Sequence, residues 1–222
     1  MARWPELSGF TDHWTWRPEW TASRPRLLWY LTFEHAPDVA AAALPISEAL
    51  DDCKVDLAPS RWLHLTVADI GFADEIDDFA LAAVAEAVRH AVRSEPALEL
   101  TLGPISALPG AVVLAAEPVD RLCRLRRLVR ESLRGVGIRP PEDIGGHFRP
   151  HVSLAYVNRR TDHARLRSAV DGFPAHEPRI RVRCDRVEQV LVTRTDGHYR
   201  WALLDQARFA GAPAAIGAQR TR

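Results

Sequence analysis

With 222 residues, 47% of them hydrophobic and 26% charged, the chain is long enough for one large domain or two lobes sharing a cleft, and it reads as an ordinary globular protein. Its 29 basic and 29 acidic side chains cancel, which excludes a global positive field holding a long polyanion, so any nucleic-acid partner must be gripped locally. Cys53, Cys123 and Cys184 lie far apart without a CxxC pair, which argues against a disulfide framework or structural zinc. Together with an N-terminus rich in Trp, Pro and charge and no apolar run of about 18 residues, this points to a cytoplasmic protein with no membrane partner, expected to be a monomer.

Residues 1–24 carry Trp4, Trp14, Trp16 and Trp20 without helical or strand periodicity. They are expected to form an irregular arm whose indoles pack on the main domain, with ligand stacking as the alternative. Leu27 to Phe33 reads as a buried strand, followed by an Ala-rich helix from Pro37 to about Cys53 that Pro45 should bend or end early. A strand from Trp62 to Asp69, closed by Gly71, precedes the clearest amphipathic helix, Asp74 to Arg93, with Ile76, Phe79, Ala80, Ala83, Val84, Ala87, Val88 and Ala91 at three- and four-residue steps. Ala97–Leu102 and Ala111–Ala116, joined through Pro109-Gly110, predict an antiparallel pair. A helix over 119–134 should carry Val119, Leu122, Leu125, Leu128, Val129 and Leu133 on one side and leave its arginines to solvent. A loop over 135–149 leads to a strand at Pro150–Leu154, a helix over 161–170, and strands at 179–184, 187–193 and 199–204, the last two joined as a hairpin by Asp196-Gly197. The main domain should therefore span 25–205, with 206–222 a disordered tail.

Two strings in this succession share one pattern: His64-Leu65-Thr66-Val67 and His151-Val152-Ser153-Leu154. In an extended strand residues i and i+2 point the same way, so each string sets an imidazole and a hydroxyl on one face and anchors the other in a core. Each is followed by a helix and then an alternating strand. The spacing predicts a duplicated unit, hence two lobes about a pseudo-twofold axis with His64 and His151 meeting in the cleft. Two imidazoles can serve as general base and general acid near neutral pH, and Thr66 and Ser153 can donate hydrogen bonds to non-bridging phosphate oxygens, so the kit suits phosphoester chemistry without metal or cofactor. Arg149 shares parity with His151 and could hold a phosphate; Trp62 shares parity with His64 and could stack on a base. Tyr156, Tyr199 and His35 are further candidates. A metal site would have to add His147 or His163 to the pair, but the chain lacks HxxxH or CxxC spacing and neither motif contains Asp or Glu.

His64-Leu65-Thr66 and His151-Val152-Ser153, with Phe148-Arg149-Pro150 before the second, resemble the 2H phosphoesterase superfamily, whose bacterial members are often called 2′-5′ RNA ligase-like proteins. The resemblance implies an α+β, bilobal fold with antiparallel sheets flanking a central cleft and helices on the outer faces. It implies metal-independent opening of 2′,3′-cyclic phosphates, or cleavage and joining of 2′-5′ bonds, on RNA ends or small cyclic nucleotides; a non-catalytic module that binds RNA ends or nucleotide phosphates is the alternative. The chain departs from the family at Trp62, where a polar residue is common, and at Val67-Ala68-Asp69-Ile70-Gly71, which replaces a Leu-x-Phe-Leu-Gly-like stretch. It shows no nucleotide-activating motif, so any ligation would be energy-independent.

Overall fold

The computed structural model describes residues 9–141, 148–176, 178–195 and 197–211. The chain runs β1 (Arg26–Thr32), α1 (Pro37–Asp51), β2 (Asp56–Leu57), β3 (His64–Phe72), α2 (Asp78–Val92), β4 (Leu98–Leu108), β5 (Ala111–Glu117), α3 (Val119–Gly135), β6 (His151–Tyr156), α4 (His163–Gly172), β7 (Ile180–Cys184), β8 (Arg186–Thr195) and β9 (His198–Arg208). The strands form two antiparallel sheets, ordered β3-β1-β8-β9 and β2-β6-β5-β4-β7. Helices α2 and α3 pack against the first sheet, α1 and α4 against the second, and β3 adjoins β6 where the sheets meet. The α+β, two-lobed architecture is thus as expected.

The duplication is deeper than the motif spacing indicates. Strand, helix, histidine strand and helix recur as β1-α1-β3-α2 and β5-α3-β6-α4, and the sheet orders β3-β1-β8-β9 and β6-β5-β4-β7 correspond strand for strand. Each lobe therefore borrows from the other half of the sequence: β4 lies in the second sheet and β8 in the first.

Local chemistry accounts for the elements and for several departures from expectation. Helix α1 does not end at Pro45 but continues to Asp51, because Ala41, the residue whose carbonyl loses its partner, is exposed and can be hydrated, while Val39, Ala43, Ile46 and Leu50 bury the opposite face. Asp77 caps α2 by accepting from the Ala80 N–H. The cap starts the helix four residues later than the apolar pattern suggests and leaves Phe79 85% exposed, with Val84, Ala85, Val88 and Val92 forming the buried stripe. Strand β3 begins at His64 and runs on through Gly71, which adopts φ 148° beside a bulge at Ile70. Pro109-Gly110 turns β4 into β5 as expected. Asp196 of the β8–β9 connection lies outside the described residues. The expected tail starts too early: Gln206 to Arg208 pair with β8, Phe209 is buried, and 212–222 lie outside the described residues. No helix among the described residues is long and apolar enough to cross a membrane.

Candidate active site

His64 and His151 occupy the first positions of β3 and β6, and both line one cavity of about 590 Å³ together with Thr66, Ser153, Arg149 and Tyr156. The two imidazoles are oriented by the same device. Nδ1 of His64 lies 2.8 Å from the Trp62 carbonyl, and Nδ1 of His151 lies 2.7 Å from the Arg149 carbonyl, in each case two residues earlier in the chain. A carbonyl oxygen can only accept, so Nδ1 carries the proton in both rings, and any proton exchanged with a ligand must pass through Nε2.

The two motifs also share a β-bulge. Trp29 pairs with Ala68 and Tyr30 with Thr66, leaving Val67 as the extra residue; Val112 pairs with Ala155 and Val113 with Ser153, leaving Leu154 as its counterpart. Each bulge shifts the alternation by one, so the next cavity-lining residue after the hydroxyl comes three positions on: Asp69 after Thr66, Tyr156 after Ser153. The bulge carbonyls remain satisfied. Val67 O accepts from the Arg126 guanidinium and Leu154 O from the Ala58 N–H at 2.8 Å.

Surroundings differ between the lobes. The His64 ring stacks on Tyr30 with centroids 4.1 Å apart and meets Trp201 edge-on at 5.1 Å. Burial lowers its pKa from 6.5 to about 4, with the nearby His151 opposing a second positive charge and the bond to Trp62 acting the other way. His151 is half-buried, and desolvation lowers its pKa against the bond to Arg149. Burial holds the Tyr30 and Tyr156 phenols protonated, opposed by hydrogen bonds with Thr66 and Ser153 respectively.

Arg149 is exposed and lies among the residues that line the cavity. Trp62 is not placed as strand parity suggests. It ends a short 3-10 turn before β3, its indole packs on Trp201 at 4.7 Å, and it is absent from the cavity lining; its backbone carbonyl is what serves His64. Tyr199 lines the cavity, whereas His35 is exposed and does not. His163 begins α4 and meets Phe10 edge-on, and His147 lies outside the described residues. Among the described residues no three His, Cys, Asp or Glu side chains gather as a metal ion would require.

Three contributions escape sequence reasoning. Asp69 is hidden by the bulge. Arg126, expected on a solvated face of α3, is buried, stacks on Phe148 at 4.6 Å and lines the cavity, because β3 supplies an acceptor carbonyl beneath it. The arm enters the cavity itself: His13, Trp16, Arg17 and Trp20 form part of its wall. His13 Nε2 is 2.7 Å from the Tyr199 hydroxyl and its ring lies 4.6 Å from Tyr156. Arg17 pairs with Asp69, which also accepts from Arg26 at 2.9 Å. Gly110 makes room for His13, since a Cβ there would come within 3.1 Å of its ring.

The model of the 2′-5′ RNA ligase superfamily matches residues 36–197, which include both histidine strands. The chain belongs to that superfamily. The 2H phosphoesterase resemblance carried by the two motifs is therefore shown. Among solved structures, TT0787 of Thermus thermophilus superposes with a TM-score of 0.63 at 17% identity, over 84% of this chain and 98% of its own. Escherichia coli LigT complexed with 3′-AMP gives 0.62 at 17% identity over the same shares, and LigT complexed with ATP gives 0.59 at 15% identity over 84% and 99%. These likenesses establish a shared fold. No curated protein matches the chain in sequence. Membership of the superfamily supports phosphodiesterase or ligase-type action on a phosphoester bond.

Proposed function

We propose that the protein opens 2′,3′-cyclic phosphates on nucleotides or RNA ends without a metal or cofactor, using His64 and His151 as the proton-transfer pair. The observation that carries this reading is the repeated orientation of two imidazoles, Nδ1 spent on the i−2 carbonyl, each with a hydroxyl two residues on and in the same cavity. His64, the more deeply buried ring with its pKa lowered to about 4, stays neutral and is assigned as base; His151, half-buried, is assigned as acid. Nε2 of His64 takes a proton from water as its oxygen bonds to phosphorus. The bond from phosphorus to the 3′ oxygen breaks, and Nε2–H of His151 protonates that oxygen, leaving a 2′-phosphate. Thr66 and Ser153 donate to the non-bridging oxygens as charge grows there, and Arg149 approaches the phosphate from the rim. With a 5′-hydroxyl in place of water, the same base and acid would join ends through a 2′-5′ bond, the 5′ oxygen bonding to phosphorus as the 3′ oxygen leaves and is protonated. The complexes of LigT with 3′-AMP and ATP support a nucleotide ligand for a cleft of this fold.

Incubation with a nucleoside 2′,3′-cyclic phosphate in excess EDTA should yield the 2′-phosphate, with the rate falling steeply in His64→Ala and His151→Ala. Normal turnover in either variant would overturn the two-histidine mechanism, and tight binding without product would favour a binding module.

A further inference from the structure

The arm carries indoles with different fates. Trp14 is half-buried and donates Nε1–H to Asp56 at 2.7 Å, and Trp20 is 4% exposed and donates to the Val192 carbonyl at 3.2 Å. Both are spent on packing, as expected of the arm. Trp16 differs in exposure: it and Trp20 both line the cavity that holds the two histidines, but Trp20 is buried whereas Trp16 is 38% exposed.

Its position is fixed from several sides. Arg194 donates to the carbonyls of Trp14, Trp16 and Arg17, and the Trp16 N–H donates to His13 O at 3.3 Å. The Arg17 guanidinium lies 4.6 Å from the centre of the Trp16 ring and is itself held by Asp69. Ring contacts link this corner to the histidine pair: Trp16 lies 6.2 Å from His13, His13 lies 5.8 Å from Tyr199, and Tyr199 lies 6.4 Å from His64. A large indole, immobilised before any ligand arrives, offers stacking area at little further cost in conformational entropy. The arm lies ahead of residues 36–197, the stretch that the superfamily model matches.

We propose that Trp16 is the platform of a base-stacking subsite, so that the ligand whose phosphate meets His64 and His151 is a nucleoside phosphate with its base against the arm. This rests on the phosphate-site reading above and assigns the other end of the same ligand. A cavity of about 590 Å³ lies within the range of small-molecule sites and is large enough for one nucleotide. Stacking reads a π-face and not a hydrogen-bond code, so the subsite accepts purines and pyrimidines and separates nucleosides from base-free sugars.

The test compares equilibrium binding of adenosine 2′-monophosphate with that of methyl riboside 2-phosphate, which lacks only the base, by calorimetry on the full-length protein. The wild type should prefer the nucleotide by about tenfold or more, within the range that base stacking on an aromatic residue confers. In Trp16→Ala the preference should fall to about twofold or less, and Trp16→Phe should restore most of it. Equal affinity of the wild type for the two probes, no binding of either, an undiminished preference in Trp16→Ala, or equal loss of both probes there would each overturn the subsite. A strong preference for the nucleotide without hydrolysis of the cyclic phosphate would sink the catalytic reading and leave the subsite standing. Hydrolysis without base preference would do the reverse.

Discussion

His64 and His151 hold the same position in corresponding strands, yet one is enclosed by Tyr30 and Trp201 while the other opens toward exposed Arg149. Backbone geometry is repeated to the level of the bulge; the side chains around it are not. The backbone thus sets what both rings can do, namely exchange protons through Nε2, and the surroundings set which ring holds its proton. Burial lowers both pKa values, so in the empty cleft near pH 7 both rings are neutral, and an arriving phosphate anion favours the protonated form of the more open one.

The largest effect that would break this comparison is loss of either ring. His64→Ala and His151→Ala should each lower kcat by about 10³-fold on a nucleoside 2′,3′-cyclic phosphate, the scale of general acid or base catalysis. If the roles differ as assigned, the limb of the pH–kcat/KM profile that requires a protonated group should vanish in His151→Ala and the limb that requires a neutral base in His64→Ala. In the wild type both limbs belong to the pair and should lie on the acid side of the ordinary imidazole value of 6.5. The hydroxyls come next: Thr66→Val and Ser153→Ala should each cost about 10²-fold in kcat with little change in KM, because their bonds strengthen as charge develops on phosphorus.

The same depressed pKa values predict a stability profile. His13 and His64 bind protons only near pH 3 and 4 when folded, whereas the unfolded chain binds them near 6.5. Stability is therefore complete above about pH 6.5 and should fall by a few kcal/mol as pH drops toward 4, read as a shift in the urea midpoint. His13→Asn should flatten that slope. The smallest expected effect concerns Asp69, which occupies in one lobe the post-bulge place of Tyr156 in the other. Asp69→Asn should cost about 2 kcal/mol by leaving Arg17 and Arg26 without their carboxylate, where Tyr156→Phe removes a hydroxyl that bonds to Ser153 and should cost about 1 kcal/mol.

Much of this was legible from residue order. Periodicity gives the helices and most strands, Pro109-Gly110 gives a hairpin, and the paired His-x-Thr/Ser strings point to one cavity, which His64, Thr66, His151 and Ser153 all line. The limits have identifiable causes. Strict alternation cannot anticipate an extra residue at Val67 or Leu154, so Asp69 stays invisible and Tyr156 is found without a reason. Parity also fails at Trp62, because a 3-10 turn and not a strand precedes His64. Arg126 and Pro45 depend on what lies opposite them: a bulge carbonyl that accepts the guanidinium, and solvent that hydrates the carbonyl left by proline. Trp16 has no local pattern at all; its place follows from long-range bonds that Arg194 makes to the arm.

The exchange of β4 and β8 between the sheets bears on how the molecule comes into being. A nascent first half emerging from the ribosome holds β3 and β1 but lacks β8 to continue their sheet, while its β4 waits for β5 to be synthesised. Neither half can close a hydrophobic core alone, and pairs such as Leu27 with Leu191 must be found across most of the chain. Folding should accordingly be slow for the size of the protein and proceed as one late, concerted event. Fragments ending before β8 should accumulate as chaperone clients, because they leave the first sheet with only β3 and β1.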